Sequence, residues 1–389
     1  MSSTSRPALW TATFTALVIS NLGVFLVFYM LASTVSGWAM TSLHTGSSTA
    51  GFIGTIYFLG AVVARLTAGR VSALVGERAV VLGSLLVLLV GCLAHPFVDT
   101  VGPLLVLRFV HGFAYGTAAT GVTGVALSRA PVQRTGEASG WISFGMALAT
   151  GLGPFVGVRL EHAAGETAVF WACTGCAVVA LGAAFVAARD LRPRVARRGP
   201  QVEMLPRAGV PISLVVASCA LGFGTMLTFV NPFGAAVGLS SASGFYFLVY
   251  ALVICLSRPI AGVIQDRTRD TLLVAPCLVV AALGMIATST AHGPVRLLLG
   301  AALLGLGYGT IVPVDQTVAV HRVGLDRATS AVAGYFCIVD GATGVGPFVL
   351  GSLVGPLGYR GAIGTGALLT LLGLASVPLL DRRTRAAAQ

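Results

Sequence analysis

The sequence predicts an all-α membrane protein of twelve transmembrane helices, arranged as two six-helix halves. Three observations predict it. The 389-residue chain is 56% hydrophobic and only 10% charged, with a mean hydropathy of +0.91; a soluble surface needs more charge than that. Apolar runs of about 20 residues, the length that crosses a hydrocarbon core of about 30 Å, recur from end to end. The second half of the chain repeats the first at a constant offset. A β-barrel is excluded, because the apolar runs are continuous and do not alternate.

The runs fall at 10–33, 48–68, 79–97, 102–126, 138–158, 168–188, 209–231, 243–264, 271–290, 296–320, 329–353 and 361–380. Met1 to Trp10 is polar and lacks a cleavage site, so the first span is expected to be retained. Fifty glycines suit helices that pack closely in lipid, where small residues let backbones approach.

The net charge of +11 comes from 24 basic residues, all arginine. With the N-terminus inside, twenty fall on the cytoplasmic side, Arg65 counted among them. Three (Arg159, Arg296, Arg360) fall outside, and Arg108 lies within the membrane. That asymmetry is the positive-inside pattern, and it places both termini in the cytoplasm. The basic excess is therefore topology, and a nucleic-acid partner is excluded. The seven cysteines lie in apolar segments. The Cys173-x-x-Cys176 pair reads as packing rather than as a metal or redox site.

The repeat sets the domain organisation. GFAYGT from Gly112 matches GLGYGT from Gly305, and GLGPFV from Gly151 matches GVGPFV from Gly344, both offset by 193 residues. Tyr57 and Tyr250, Arg65 and Arg258, and Arg134 and Arg327 keep the same register. Residues 1–188 form one six-helix bundle, 189–208 a basic cytoplasmic linker, and 209–389 the second bundle. Six helices per half give parallel repeats related by an axis along the membrane normal. Such folds bind substrate near the midplane, between the halves.

Three motifs carry a resemblance. Between the second and third spans the chain reads GRVSALVGER, with Gly69, Gly76 and Arg78. Its repeat copy, GVIQDRTRD from Gly262, holds Asp266 and Arg267. The fourth span holds RFVHGFAYG, Arg108 to Gly116. The fifth has Gly140, Gly153, Pro154 and Gly157 in the pattern G-x(8)-G-x(3)-G-P-x(2)-G, with Ala149 at one glycine position. Across nearly the whole chain these residues resemble the major facilitator superfamily, and within it the twelve-helix drug/proton antiporters. In the first motif Ala73 stands where the family has aspartate.

The resemblance implies proton-coupled export by alternating access, and a proton-coupling role for Arg108. Independently, an arginine at membrane depth costs about 2.5–3.5 kcal/mol on insertion scales and calls for a partner or a wet cavity. His111 and Tyr115 share its face at i+3 and i+7. For His111, a proton-handling role and a histidine satisfied by a backbone carbonyl both stand. Gly112 and Gly116 form a helix-contact stripe. The Gly-Pro motif reads as a bend with glycines at which the halves pivot.

Two acids lie at membrane depth, Asp315 and Asp340. A carboxyl in low dielectric can bind and release a proton near neutral pH. Asp340 is the favoured carrier and the expected partner of Arg108; Asp315 reads first as a gating or structural group. The family lines its cavity with helices one, four, seven and ten. Carried onto this chain, the lining residues are Asn21, Phe25 and Tyr29; Arg108, His111 and Tyr115; Phe223, Met226 and Asn231; and Tyr308, Asp315 and Gln316. Tyr115 and Tyr308 are expected to face each other across it. This mix suits a medium-sized amphipathic molecule.

The expected protein is a monomeric, multi-pass exporter in the bacterial inner membrane. Its partners are lipid, a small-molecule substrate and protons. It needs no cofactor beyond the proton gradient, binds no metal and is not an enzyme, since no metal cluster, nucleophile triad or phosphate loop is present. The rival readings are a proton-coupled importer of a small metabolite and a non-transporting sensor or scaffold.

Overall fold

The computed structural model of the chain describes residues 8–131, 134–191, 206–267, 273–323 and 328–387. Among these the regular elements are all helical. In lipid, each backbone N–H and C=O must be bonded within its own segment, and a helix does that. The first six spans are α1 (Ala12–Ser42), α2 (Ser47–Val75), α3 (Glu77–Ala94), α4 (Val101–Arg129), α5 (Thr135–Ala164) and α6 (Glu166–Ala188). The seventh is α7 (Val210–Ala236). A single turn, α8 (Ser240–Ser243), leads into the eighth span, so the labels run one ahead from there. The remaining spans are α9 (Tyr246–Arg267), α10 (Val274–Ser289), α11 (Pro294–Val323), α12 (Ala328–Gly351) and α13 (Val354–Ala387). The predicted basic linker falls largely outside the described residues.

α1 runs nine residues past the expected end at 33. Hydropathy ends the span there because Ser33, Thr34 and Ser36 are polar. Their hydroxyls are satisfied without water: Ser33 and Thr34 donate back to the Met30 carbonyl, and Ser36 donates to the Ala50 carbonyl at 3.0 Å. α10 is the short one, 16 residues. At its end the Arg360 guanidinium donates to the Ser289 and Ala291 carbonyls, at 2.7 Å each.

Two helix pairs are joined by one glycine. Gly76 links α2 to α3 at φ 84°, and Gly165 links α5 to α6 at φ 79°. Both angles lie in the left-handed region, where a side chain is strained. This gives a physical reason for Gly76 in the first motif. Arg78 is exposed in the first turn of α3. Gly69 lies within α2; the side chains of Asp266 and Arg267 lie outside what is described.

Within the first half α1 packs on α5 and α6, α2 on α4, and α3 on α4 and α6; α7, α12 and α13, and α9, α10 and α11, do the same in the second. The repeated glycines set the closest approaches. A methyl group at Gly112 would lie 1.9 Å from the Tyr57 carbonyl oxygen, and one at Gly305 would lie 2.6 Å from that of Tyr250. The α2–α4 and α9–α11 pairs are thus the same contact made twice.

The halves meet along α2–α12, α5–α9 and α1–α7. The contacts gather toward the end remote from the termini. Thr55 donates to the Gly344 carbonyl, Phe52 packs on Phe348 at 5.4 Å, and Phe155 packs on Phe245 at 5.3 Å. Gly51 sits against the Pro347 carbonyl.

Candidate functional site

An ion pair joins the two halves. Arg65 Nη2 on α2 lies 2.6 Å from Asp340 Oδ2 on α12, with the two side chains 13% and 19% exposed. The Arg65 guanidinium also sits over the Phe336 ring, 5.2 Å from its centroid. One expectation changes here. Arg65 lies inside the second span, between Ser47 and Thr67. The partner of Asp340 is Arg65 rather than Arg108. An arginine so deep is tolerable because the second half supplies its counter-charge and an aromatic face.

Arg108 is enclosed in the first half instead. It lies seven residues into α4 and is 2% exposed. Its guanidinium lies over the Tyr57 ring, 4.3 Å from the centroid. Nε and Nη1 have no hydrogen-bond partner, and neither has the Tyr57 hydroxyl. His111 is fully buried on the same helix. Its Nε2 is 3.5 Å from Cys92 Sγ on α3, its ring packs beside His95 at 5.2 Å, and Nδ1 is unpartnered. Gly91 leaves room for that ring. Among the described residues no three His, Cys, Asp or Glu side chains gather in a metal-binding group.

Aromatic rings form matching stacks in the two halves. Phe28 stacks on Tyr115 at 4.7 Å and on Tyr57 at 5.5 Å. Phe223 stacks on Tyr308 at 4.3 Å and on Tyr250 at 5.5 Å. Phe25 closes on Tyr115 edge-on at 5.7 Å and stacks on Tyr29. Tyr115 and Tyr308 are each stacked within their own half, at 4% and 5% exposure.

The other expected lining residues divide by burial. Asn21 accepts from Thr123 on α4 at 3.3 Å, while its Nδ2 has no partner. Met226 is fully buried, with its sulfur 3.8 Å from the Tyr246 hydroxyl. Tyr29, Asn231 and Gln316 are half-buried. Asp315 is fully buried in α11.

The Gly-Pro motif resolves into two jobs. Gly151 faces Ala251 and Phe247 on α9, and its repeat mate Gly344 faces Phe58 on α2, so both touch the opposite half. Gly153 faces Tyr29 and Met30, Gly157 faces Met30 and Thr34, and Gly346 faces the Leu221 carbonyl, all within their own half. The close contacts between the halves therefore lie at Gly151 and Gly344. Gly153 and Gly157, with the buried Pro154 inside α5, seat that helix on α1.

Sequence reasoning passed over Arg65, Phe28 and Phe336. Arg65 was legible as a charge inside a predicted span. The phenylalanines carry no signal apart from their neighbours.

Comparison with known proteins gives the same architecture. The family model described as Major Facilitator Superfamily matches residues 17–347. The chain is similar to an uncharacterised MFS-type transporter of Pseudomonas aeruginosa (strain UCBPP-PA14), 26% identical over 377 residues, covering 91% of this chain and 89% of that one. Among solved structures it is similar to the nucleoside transporter NupG, with a TM-score of 0.74 at 13% identity, over 95% and 99% of the two chains. It is also similar to an auto-inhibited POT family peptide transporter, with a TM-score of 0.75 at 11% identity, over 96% and 97%. At these identities the structural likeness is one of fold.

Proposed function

We propose, for a chain that belongs to the Major Facilitator Superfamily, that it exports a small amphipathic organic molecule in exchange for protons. It acts as a monomer in a bacterial inner membrane, with both termini cytoplasmic. The observation that carries this reading is the Arg65–Asp340 pair, an ion pair at membrane depth joining the two halves. Protonation of Asp340 removes one of its charges. The attraction that holds α2 to α12 at this depth then falls, and the halves are freed to rock. Deprotonation restores it. One proton-binding carboxyl thereby controls the relation between the halves, as coupling to a proton gradient requires.

The closure at the end remote from the termini suits a state whose site faces the side of the termini. We take its walls to be the two aromatic stacks, with the half-buried Tyr29, Asn231 and Gln316 as its polar groups. Aromatic surface with few polar groups favours a molecule with a flat apolar body.

The test is transport by inverted membrane vesicles carrying the protein. Substrate accumulation driven by an outward proton gradient (acidic lumen), abolished by an uncoupler and by Asp340→Asn, is the expected result. Gradient-driven uptake by whole cells would replace export by import.

A further inference from the structure

Asp315 differs from Asp340 in having nothing to bond to. It is fully buried in α11, and among the described residues both carboxylate oxygens lack a hydrogen-bond partner. An ionised carboxylate held this way would keep a large desolvation cost with no compensation, so the group stays neutral instead. A neutral carboxyl carries a proton.

The surroundings give that proton a route. At the end of the bundle nearer the termini a small pocket opens between the start of α7, the end of α11 and α12. Gly209, Val210, Ser213, Val323, Gly334 and Tyr335 line it. Tyr335 of the pocket wall reaches the helix that carries Asp315. Its hydroxyl donates to the Val312 carbonyl at 2.8 Å, three residues before Asp315 on the same helix. Tyr335 also lies within electrostatic reach of both Asp315 and Asp340. Arg322 is the cation that acts on Asp315. It lies seven residues on, on the same helical face and about 10 Å nearer that end of the bundle. Among the described residues the other titratable groups within reach of Tyr335 are Tyr308 of α11 and the Cys219 thiol of α7. The α9 side chains beyond Ser257 lie outside those described.

We propose that Asp315 is a second proton-binding carboxyl, loaded in the conformation described here and exchanging its proton through the pocket at Tyr335 rather than across the interface between the halves. This rests on the proton-antiport reading and adds a second coupled proton to it. On release the Asp315 O–H bond breaks, the proton passes to water in the pocket, and the carboxylate left behind faces Arg322. Asp340 senses the opposite half, whereas Asp315 senses only its own.

The test begins without transport. A hydrophobic carbodiimide modifies protonated, membrane-embedded carboxyls and spares ionised ones. Full-length protein in detergent, treated at neutral pH and mapped by mass spectrometry, should carry the adduct on Asp315 and not on Asp340. Asp315→Asn should lose the adduct along with the protonated-carboxyl infrared band. Absence of both signals from the unmodified protein overturns the proposal.

The second arm is the proton-to-substrate ratio in proteoliposomes. It should fall by one proton in Asp315→Asn, and Asp315→Glu should restore it. An unchanged ratio in Asp315→Asn overturns the coupling role. A protein that carries the Asp315 adduct but moves no protons with its substrate refutes the antiport reading, and with it a coupled second proton. Asp315→Glu keeps the carboxyl, so misfolding of the Asn variant does not obscure the outcome.

Discussion

Arg65 and Asp340 meet at 2.6 Å although 275 positions separate them in the chain, and they belong to opposite halves. No covalent neighbour holds either charge in place, so the pair exists only when the halves are together. Removing one partner of a buried pair costs about 3–5 kcal/mol, and the partial exposure of both side chains discounts that to about 2 kcal/mol. Arg65→Ala and Asp340→Asn should each abolish substrate-driven proton movement. The exchanged pair Arg65→Asp with Asp340→Arg should recover part of it. Proton flux in proteoliposomes reads this directly, and wild-type flux in both single variants would remove the pair from the mechanism.

Arg108 is held by the face of Tyr57 rather than by a carboxylate. A desolvated cation over an aromatic ring gains about 2 kcal/mol. Tyr57→Phe should therefore retain most of the stability and Tyr57→Leu should lose it, as read by thermal unfolding in detergent. Transport should be absent in Arg108→Ala and partial in Arg108→Lys. Equal, wild-type rates in both would show that the charge serves only the fold.

The two glycines of GLGP should respond differently to the same substitution. Gly153→Leu drives a side chain into Tyr29 and Met30 of its own half, and overpacking of this kind costs about 1–3 kcal/mol. A lower melting temperature is expected. Gly151→Leu meets Ala251 and Phe247 of the other half. It should leave melting nearly unchanged while transport falls, because it hinders closure and not folding. Similar melting losses in the two variants would contradict this division.

Phe52 and Phe348 pack across the remote end of the interface. The double variant Phe52→Cys with Phe348→Cys, made in a background free of the native cysteines, should form a disulfide under mild oxidation and stop transport. Reductant should restore it. A cross-linked protein that still transports would show that this end never needs to open.

The sequence made the scaffold legible because its signals are local or repetitive. Twelve apolar runs, a 193-residue register and the glycine pairs at Gly112 and Gly305 each state one physical requirement. Partnerships were not legible. Arg65 sits inside a predicted span, yet nothing near it in the chain names Asp340, because the counter-charge comes from the other half. Arg108 drew attention through its cost, but its solution is a ring on α2 that carries no charge to search for. Tyr115 and Tyr308 were found as repeat mates, and symmetry alone does not say whether mates face each other or turn inward. The phenylalanines Phe28 and Phe223, each stacked on its own half's tyrosine, tell only what holds each ring within its half.

The shortness of α10 bears on the lipid. Sixteen residues rise about 24 Å, less than the roughly 30 Å of hydrocarbon in an average bilayer. The end of α10 near Ser289 and Ala291 is a polar cluster, with the Arg360 guanidinium fixed on its last carbonyls. A bilayer can meet that end only by thinning beside it or by tilting the protein, at a fraction of a kcal/mol per ångström. The first-half counterpart of α10, α3, has 18 residues, about 27 Å, so α10 is the shorter of the two by about one half-turn. Acyl-chain length becomes a variable that acts on the second half first.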